Sequence, residues 1–338
     1  MNTKYIKWLE LTALAILIFC ILSLATFQAL NLDINNDYQA GVTYSRPYAE
    51  ELELDPDQTL TAILDDLQVR HFRIPAYWNL LQPTRNNWDW EWLDKDLDAI
   101  AERNGTVTLA IGHKLPRWPE CWTPAWARHF DEQEQEQAVL AYLDAVIDRY
   151  KDHPAVVEWQ VENEANFPFG QCPQISNSFI DKEINFVKSK NTGKPIVTTD
   201  SGELTLWDMG KHVDQLGVSV YRVVLSPIGV FHYWFIPPQF YLRKGQLAKI
   251  FYGTSKVYVS ELQMEPWVKT TILKAPLSEQ EQTFNLDQMQ ANINFAAKMG
   301  LDRIDFWGVE WWYWMKTANN DNSYWELAKT IFQKNVNQ

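Results

Sequence analysis

Two glutamates, Glu164 and Glu261, each follow a short apolar segment of the chain. The first closes the sequence VVEWQVENE, and the second closes KVYVSE. A pair of carboxyl groups can cleave a glycosidic bond, because one protonates the leaving oxygen while the other acts on the opposite side of the sugar ring. That chemistry requires a fold that brings the two segments face to face.

Both segments belong to a regular alternation of strand-like and helix-like sequence. The predicted strands are short, β-branched and apolar, as parallel strands buried on both faces are. They cover residues 41–44, 69–75, 106–111, 156–161, 195–199, 218–221, 256–260 and 303–307. Repeated strand–helix units imply a parallel sheet, and eight of them predict closure into a (β/α)8 barrel. We therefore expect a single α/β domain over residues 38–338.

Capping residues mark where several intervening helices begin. Asp55 precedes Pro56 at one start, and Ser176 precedes another. Asp131 with Glu134 has the pattern of a capping box. The predicted helices cover residues 56–67, 93–103, 131–152, 176–193, 207–216, 238–253, 286–300 and 324–336.

Polar residues recur at the carboxyl ends of the predicted strands, where such barrels carry their chemistry. They are Arg73, His113, Asn163 with Glu164, Asp200, Tyr221 with Arg222, Glu261, and Trp307 with Glu310. The fourth and seventh strands face each other across an eight-stranded barrel, so their glutamates can flank one bond. A separation of roughly 5 Å would mean cleavage with retention through a covalent intermediate. Glu162 lies beside this motif, and we expect its side chain to point away from Glu164.

This pattern resembles the retaining (β/α)8 glycoside hydrolases of clan A, in particular family 5, over about residues 40–335. The resemblance is carried by Asn163-Glu164 after the fourth strand and Glu261 at the end of the seventh. Four further strand-end residues fit the same pattern: Arg73, in the sequence FRIP, together with His113, Tyr221 and Trp307.

The resemblance implies a role for each of these residues. Glu164 would be the acid/base and Glu261 the nucleophile, held ionised and oriented by Arg73 and Tyr221. Asn163 would bind the 2-hydroxyl of the sugar at the cleaved bond. The floor of that sugar subsite would be Trp307, and His113 would contact the substrate as well.

The chain contains 17 Trp, many of them in the predicted loops at this end of the barrel. Indole faces stack on the apolar faces of sugars, so Trp78 and Trp311 are candidate subsite residues; loop packing is the alternative. The sixth loop, residues 223–238, is almost entirely apolar. It suits either a lid packed on neighbouring loops or contact with a membrane surface.

The N-terminus has the pattern of a signal peptide or membrane anchor over residues 1–30, forming a hydrophobic helix before the barrel. Lys4 and Lys7 precede an apolar run over residues 11–25. Either reading puts the barrel outside the cytoplasm. Cys121 and Cys172 fall in neighbouring predicted loops, and we expect a disulfide between them; two buried thiols are the alternative.

A net charge of −13 disfavours nucleic acid as a partner. No HExxH, CxxC, GxSxG or phosphate-binding loop is present in the sequence, and no metal or cofactor is implied. The sequence therefore favours a retaining β-glycosidase acting on β-linked oligo- or polysaccharides. A glycan-binding protein on an inactive hydrolase scaffold and a transglycosylase stay open as alternatives, as do endo and exo cleavage.

Overall fold

The computed structural model describes Leu14 and residues 37–226 and 229–333. The barrel residues lie within one compact unit, Asn36–Gln338. Apart from Leu14, the predicted signal peptide or anchor at residues 1–30 lies outside the described residues. Among the helices that are described, none is both long and apolar enough to cross a membrane.

Eight parallel strands close into a barrel, which confirms the predicted fold class. They are β1 (Gln39–Thr43), β2 (His71–Pro75), β3 (Thr106–Ile111), β4 (Val156–Val161), β5 (Ile196–Ser201), β6 (Gln215–Val220), β9 (Lys256–Gln263) and β10 (Arg303–Trp307). The remaining two, β7 (Val223–Ser226) and β8 (Gly229–His232), pair antiparallel as a hairpin in the sixth loop. Around the barrel the order is β1-β10-β9-β6-β5-β4-β3-β2.

Helices follow the strands and cover the barrel with their apolar faces. The described α-helices are α1 (Arg46–Glu51), α2 (Pro56–Asp65), α3 (Trp78–Leu81), α4 (Glu91–Glu102), α5 (Glu132–Tyr150), α6 (Asn177–Ser189), α7 (Gln239–Tyr252), α8 (Leu277–Gln280), α9 (Leu286–Ala296), α10 (Val309–Ala318) and α11 (Ser323–Gln333). The capping predictions are confirmed, because Asp55 and Ser176 accept backbone N–H bonds and the capping box at Asp131 is complete.

The short helix predicted over residues 207–216 is present only in part. A 3-10 helix, Asp208–His212, forms there, and β6 already begins at Gln215. Leu216 pairs with Thr198 of β5 and with Val257 of β9, so ladder formation on both sides takes these residues into the sheet. Barrel closure thus overrides the local helical pattern.

A β-bulge in β9 sets the direction of Glu261. Val259 pairs with Val218, but Glu261 pairs with Ser219, so β9 carries one extra residue at this point. Tyr258 points into the barrel, where its ring lies 3.5 Å from the Arg303 guanidinium carbon. Strict alternation would send a residue three positions later outward; the extra residue turns Glu261 inward instead.

Candidate active site

Arg73 is the hub of the polar residues at the barrel mouth. It is fully buried in β2, and its guanidinium donates three hydrogen bonds of 2.6 Å. The acceptors are Gln160 Oε1, Glu261 Oε1 and Asn163 Oδ1. A planar guanidinium can make these bonds at once because its donors have a fixed geometry. Arg73 thereby fixes Glu261 and Asn163 relative to each other.

Glu261 receives a second hydrogen bond from a neighbouring strand end. The Tyr221 hydroxyl, just after β6, donates to Glu261 Oε2 at 2.8 Å. Burial, and then the charge of Glu261, raises the pKa of Tyr221 well above its usual value, so the phenol keeps its proton. Both carboxylate oxygens of Glu261 therefore have a donor, which suits a group that works in its ionised form.

Glu164 lies in a different environment. Burial raises its pKa to about 8, and the nearby charge of Glu261 adds to this effect. The Ser219 hydroxyl donates to Glu164 Oε1 and acts in the opposite direction. Glu164 is thus protonated at neutral pH, as a general acid must be.

The backbone around Glu164 is held in an uncommon conformation. Glu162 and Glu164 have positive φ angles of 59° and 45°, in the left-handed region that non-glycine residues seldom adopt. The Glu164 amide donates to Thr199 Oγ1 at 2.9 Å, and this hydroxyl donates to Asn163 Oδ1 at 2.9 Å. Backbone strain of this kind clusters at functional sites.

Asn163 has its side-chain oxygen fully engaged. That oxygen accepts from both Arg73 and Thr199. Its NH2 group is therefore the part of the side chain that could donate to a substrate hydroxyl.

Trp307 ends β10 and is 8% exposed. Its indole nitrogen donates to Glu265 Oε1 at 2.7 Å, which fixes the ring. The Arg117 guanidinium carbon lies 4.0 Å from the ring centre, so part of the indole is already covered by protein.

Two predicted substrate contacts are not brought to this site. Trp311 is 1% exposed, donates to Gln280 Oε1 at 2.8 Å and packs between Phe284 and Tyr324 on the barrel's outer layer. It lies in α10, whose first four residues are all buried, so its assignment to a sugar subsite was wrong.

His113 follows β3, but its ring contacts other protein side chains, including Gln135 of α5 at 3.2 Å. Its ring pairs with Thr123 Oγ1 at 2.6 Å and lies edge-on to Trp78, which is itself fully buried. Burial lowers the pKa of His113 to about 4, so the ring is neutral. The structure gives it a packing role, and the suggestion that Trp78 forms an open sugar platform is likewise not supported.

Glu162 points away from Glu164, as predicted. Its carboxylate accepts the backbone N–H of His113 and of Lys114. The Lys114 ammonium in turn donates to the Glu164 carbonyl oxygen at 3.0 Å. Glu162 and Lys114 thus support the backbone that carries the acid.

Several residues of the site were missed in the sequence. Ser219 could have been found, since it stands two positions before Tyr221 on β6 and must share its side of the strand. Gln160 on β4 could have been found in the same way, because it stands an even number of residues, four, before Glu164. Arg117 and Glu265 lie inside loops, where strand periodicity gives no guidance, and nothing local identifies them.

Cys121 and Cys172 form a disulfide that links the loops following β3 and β4. In the part of the chain that the structure describes, no cluster of three or more His, Cys, Asp or Glu could hold a metal ion.

A closed parallel barrel with two buried glutamates at its mouth, one of them with its pKa raised to about 8, is the arrangement of (β/α)8 glycoside hydrolases. Comparison with known proteins agrees. Residues 75–188 match the model of glycosyl hydrolase family 10. The predicted resemblance to (β/α)8 glycoside hydrolases similar to family 5 is confirmed.

The relatives carry different activities in their names. Over 112 residues the chain is 29% identical to the β-galactosidase LacZ of Heyndrickxia coagulans, covering 28% of this chain and 17% of that protein. Over 192 residues it is 25% identical to mannan endo-1,4-β-mannosidase F of Aspergillus fumigatus, covering 55% and 36%. The chain thus spans well under half the length of either relative.

Solved structures give the same fold. The chain matches GH5_18 from Bifidobacterium longum with a TM-score of 0.57 and 16% identity, covering 80% of this chain and 69% of that one. It matches a family 10 endo-β-1,4-xylanase from Gloeophyllum trabeum with a TM-score of 0.54 and 18% identity, covering 80% and 84%. At this identity the likeness concerns the fold.

Proposed function

We propose that this protein is a retaining β-glycosidase that hydrolyses β-linked carbohydrates. The observation that supports this most directly is the contrast between the two glutamates. The pKa of Glu164 is raised to about 8, whereas Glu261 is paired with Arg73 at 2.6 Å and Tyr221 at 2.8 Å. Separating the protonation states of two carboxyl groups assigns one as acid and the other as nucleophile.

The reaction runs in two steps. In the first, a Glu261 oxygen bonds to the anomeric carbon while the bond to the leaving oxygen breaks, and Glu164 gives that oxygen its proton. In the second, water attacks the anomeric carbon and gives a proton to Glu164, and the ester bond to Glu261 breaks. Formation of the ester removes the negative charge of Glu261, which lowers the pKa of Glu164 and prepares it to act as base.

An inactive glycan-binding scaffold is the main alternative from another class. Against it stands the cost of keeping this arrangement. Buried carboxyl groups and left-handed backbone at Glu162 and Glu164 are unfavourable for stability, and a binding surface has no need of them. Transglycosylation uses the same intermediate, with a sugar hydroxyl in place of water.

The test is hydrolysis of a panel of aryl β-glycosides by the full chain and by Glu261→Ala. We expect activity in the wild type, its loss in Glu261→Ala, and partial rescue by azide with formation of an α-glycosyl azide. Glu158→Gln is the matched control, since Glu158 is a buried glutamate bonded to Arg303 at the other end of the barrel. Absence of hydrolysis across the panel, with sugar binding retained, would favour the binding scaffold.

We also propose that the protein works outside the cytoplasm, with residues 1–30 as a signal peptide or anchor. The bond between Cys121 and Cys172 supports this, because disulfides persist in oxidising compartments. Membrane contact through the sixth loop is part of this proposal. It is supported by the exposure of Phe231 (43%), Trp234 (81%) and Phe235 (55%).

A further inference from the structure

The loop that follows β3, residues 112–124, crosses one side of the barrel mouth. Arg117 donates to Glu310 Oε2, beyond β10, at 2.9 Å and also to Glu265 Oε1, beyond β9. The Pro116 carbonyl accepts from the Tyr77 hydroxyl, beyond β2, at 3.1 Å. One loop is therefore bonded to the loops of three other strands.

Arg117 is packed between two aromatic rings. Its guanidinium carbon lies 3.7 Å from the centre of the Tyr48 ring, beyond β1, and 4.0 Å from that of Trp307. Arg117, Glu265 and Glu310 are only 7%, 8% and 0% exposed. We call Arg117 with Tyr48, Glu265 and Glu310 the arginine wall.

Further contacts hold Glu310 and the loop of Arg117 in place. The Glu310 carboxylate accepts the Ser45 backbone N–H at 2.6 Å, and the disulfide of Cys121 ties the far end of the same loop to Cys172. The backbone N–H of Gln171 bonds to the Pro119 carbonyl at 2.9 Å. A loop anchored at so many points resists local opening, so it stays on its side of the mouth.

Aromatic rings from the loops that follow β4 and β9 also contact each other at the mouth. The ring centre of Phe169, in the loop after β4, lies 5.9 Å from the ring centre of Trp267, in the loop after β9. Between ring centres, Trp267 lies 5.6 Å from Tyr221 and Phe169 lies 6.1 Å from Trp118. These contacts join the loops after β3, β4 and β9 to Tyr221, the residue that donates to Glu261.

The position of the arginine wall relative to the two glutamates fixes which side of the substrate it blocks. Glu164 protonates the leaving group, so the leaving group lies on the β4 side. If Trp307 is the floor of the subsite, the sugar attacked by Glu261 lies over Trp307, and this indole contacts both Arg117 and Glu265 of the arginine wall. The wall therefore stands beyond the sugar that forms the covalent intermediate.

We propose that the arginine wall makes this an exo-acting enzyme, which takes the terminal sugar of a β-linked chain and releases single sugars from the non-reducing end. An internal bond can be cleaved only in a cleft that continues past both sides of the bond. Here a further sugar would have to displace a buried ion pair and its stacked rings. This inference rests on the proposed function and specifies its substrate as a chain end.

The test uses the full chain and a β-linked pentasaccharide labelled at its reducing end, built from the sugar whose aryl β-glycoside is hydrolysed. The expected first products are the free monosaccharide and the labelled tetrasaccharide. Labelled mono-, di- or trisaccharide among the first products, or no attack on the pentasaccharide, would overturn the inference. Continued hydrolysis of the aryl glycoside would then leave the proposed function standing, whereas its absence would remove both.

A variant tests whether the wall is responsible. Tyr48→Ala removes one stacked ring without leaving a buried charge unpaired, so disaccharide release should rise at least about tenfold, equivalent to about 1.4 kcal/mol. Tyr313→Ala is the matched control, because Tyr313 is a half-buried tyrosine whose ring contacts that of Trp325 outside the mouth. Release of monosaccharide alone by a folded Tyr48→Ala protein would contradict the role of the wall; the wild-type product pattern decides the inference even if that variant does not fold.

Discussion

Replacing Arg73 by lysine separates the catalytic role of a buried cation from its structural role. Arg73 makes three hydrogen bonds of 2.6 Å, and a lysine ammonium in its place keeps the charge but loses the fork that reaches all three acceptors. Each hydrogen bond to a charged group contributes about 1.5–3 kcal/mol, so losing two costs about 3–6 kcal/mol. With the third bond kept, we expect the free energy of unfolding to fall by about 3–6 kcal/mol.

The same change should lower kcat. A misplaced Glu261 that loses about 3 kcal/mol of transition-state stabilisation corresponds to a rate about 100-fold lower. The assays are denaturant unfolding and initial rates on the best aryl β-glycoside.

Arg303→Lys is the matched control for this prediction. Arg303 is also buried, and it bonds to Glu158 at 2.6 Å and lies 3.3 Å from Asp305, but it stands at the opposite end of the barrel. The Arg303→Lys protein should lose a similar free energy of unfolding and keep the kcat of the wild type. Equal kcat losses in the two variants, or an Arg73→Lys enzyme with unchanged kcat, would refute the assignment of Arg73 to Glu261.

Three further predictions follow from the site and its surroundings. Ser219→Ala removes a hydrogen bond that favours ionised Glu164, so the pKa of Glu164 should rise above about 8. The alkaline limb of the pH profile of kcat/KM should therefore move to higher pH. An alkaline limb that stays in place or moves to lower pH would contradict the assignment of Glu164 as the acid. Replacing Cys121 and Cys172 by serine opens a 51-residue loop and should lower the unfolding free energy by about 3–5 kcal/mol, measured by urea unfolding; a loss below about 1 kcal/mol would contradict a structural role. Trp234→Ser should reduce sedimentation of the full chain with liposomes, because it removes an 81% exposed indole; unchanged sedimentation would rule out membrane contact by this residue.

The barrel was predictable because its strands are buried on both faces. The strand predicted over residues 303–307 matches the observed strand Arg303–Trp307 residue for residue, and all five of its residues are buried. The ends of the strands can also be predicted from the sequence. Arg73, Asn163, Tyr221 and Glu261 could therefore be assigned to the carboxyl-terminal end of the barrel before their contacts were known.

The features that the sequence did not predict depend on contacts between residues far apart in the chain. The bulge next to Ser260, which turns Glu261 inward, arises from pairing with strands on both sides. Trp311 was misassigned because its position after a strand end suggested exposure, whereas the helix it belongs to buries it against α11. The reach of Arg117 to Glu265 and Glu310 joins residues far apart in the chain, and no periodicity encodes it.

The most direct test of the two-glutamate mechanism is trapping of the covalent intermediate. The full chain would be inactivated with a 2-deoxy-2-fluoro β-glycosyl fluoride of the preferred sugar, digested, and analysed by mass spectrometry. We expect one fluorosugar per chain, attached to Glu261, and no adduct in Glu261→Gln. An adduct on another residue, or catalysis that inverts the anomeric centre without any adduct, would refute the two-glutamate mechanism.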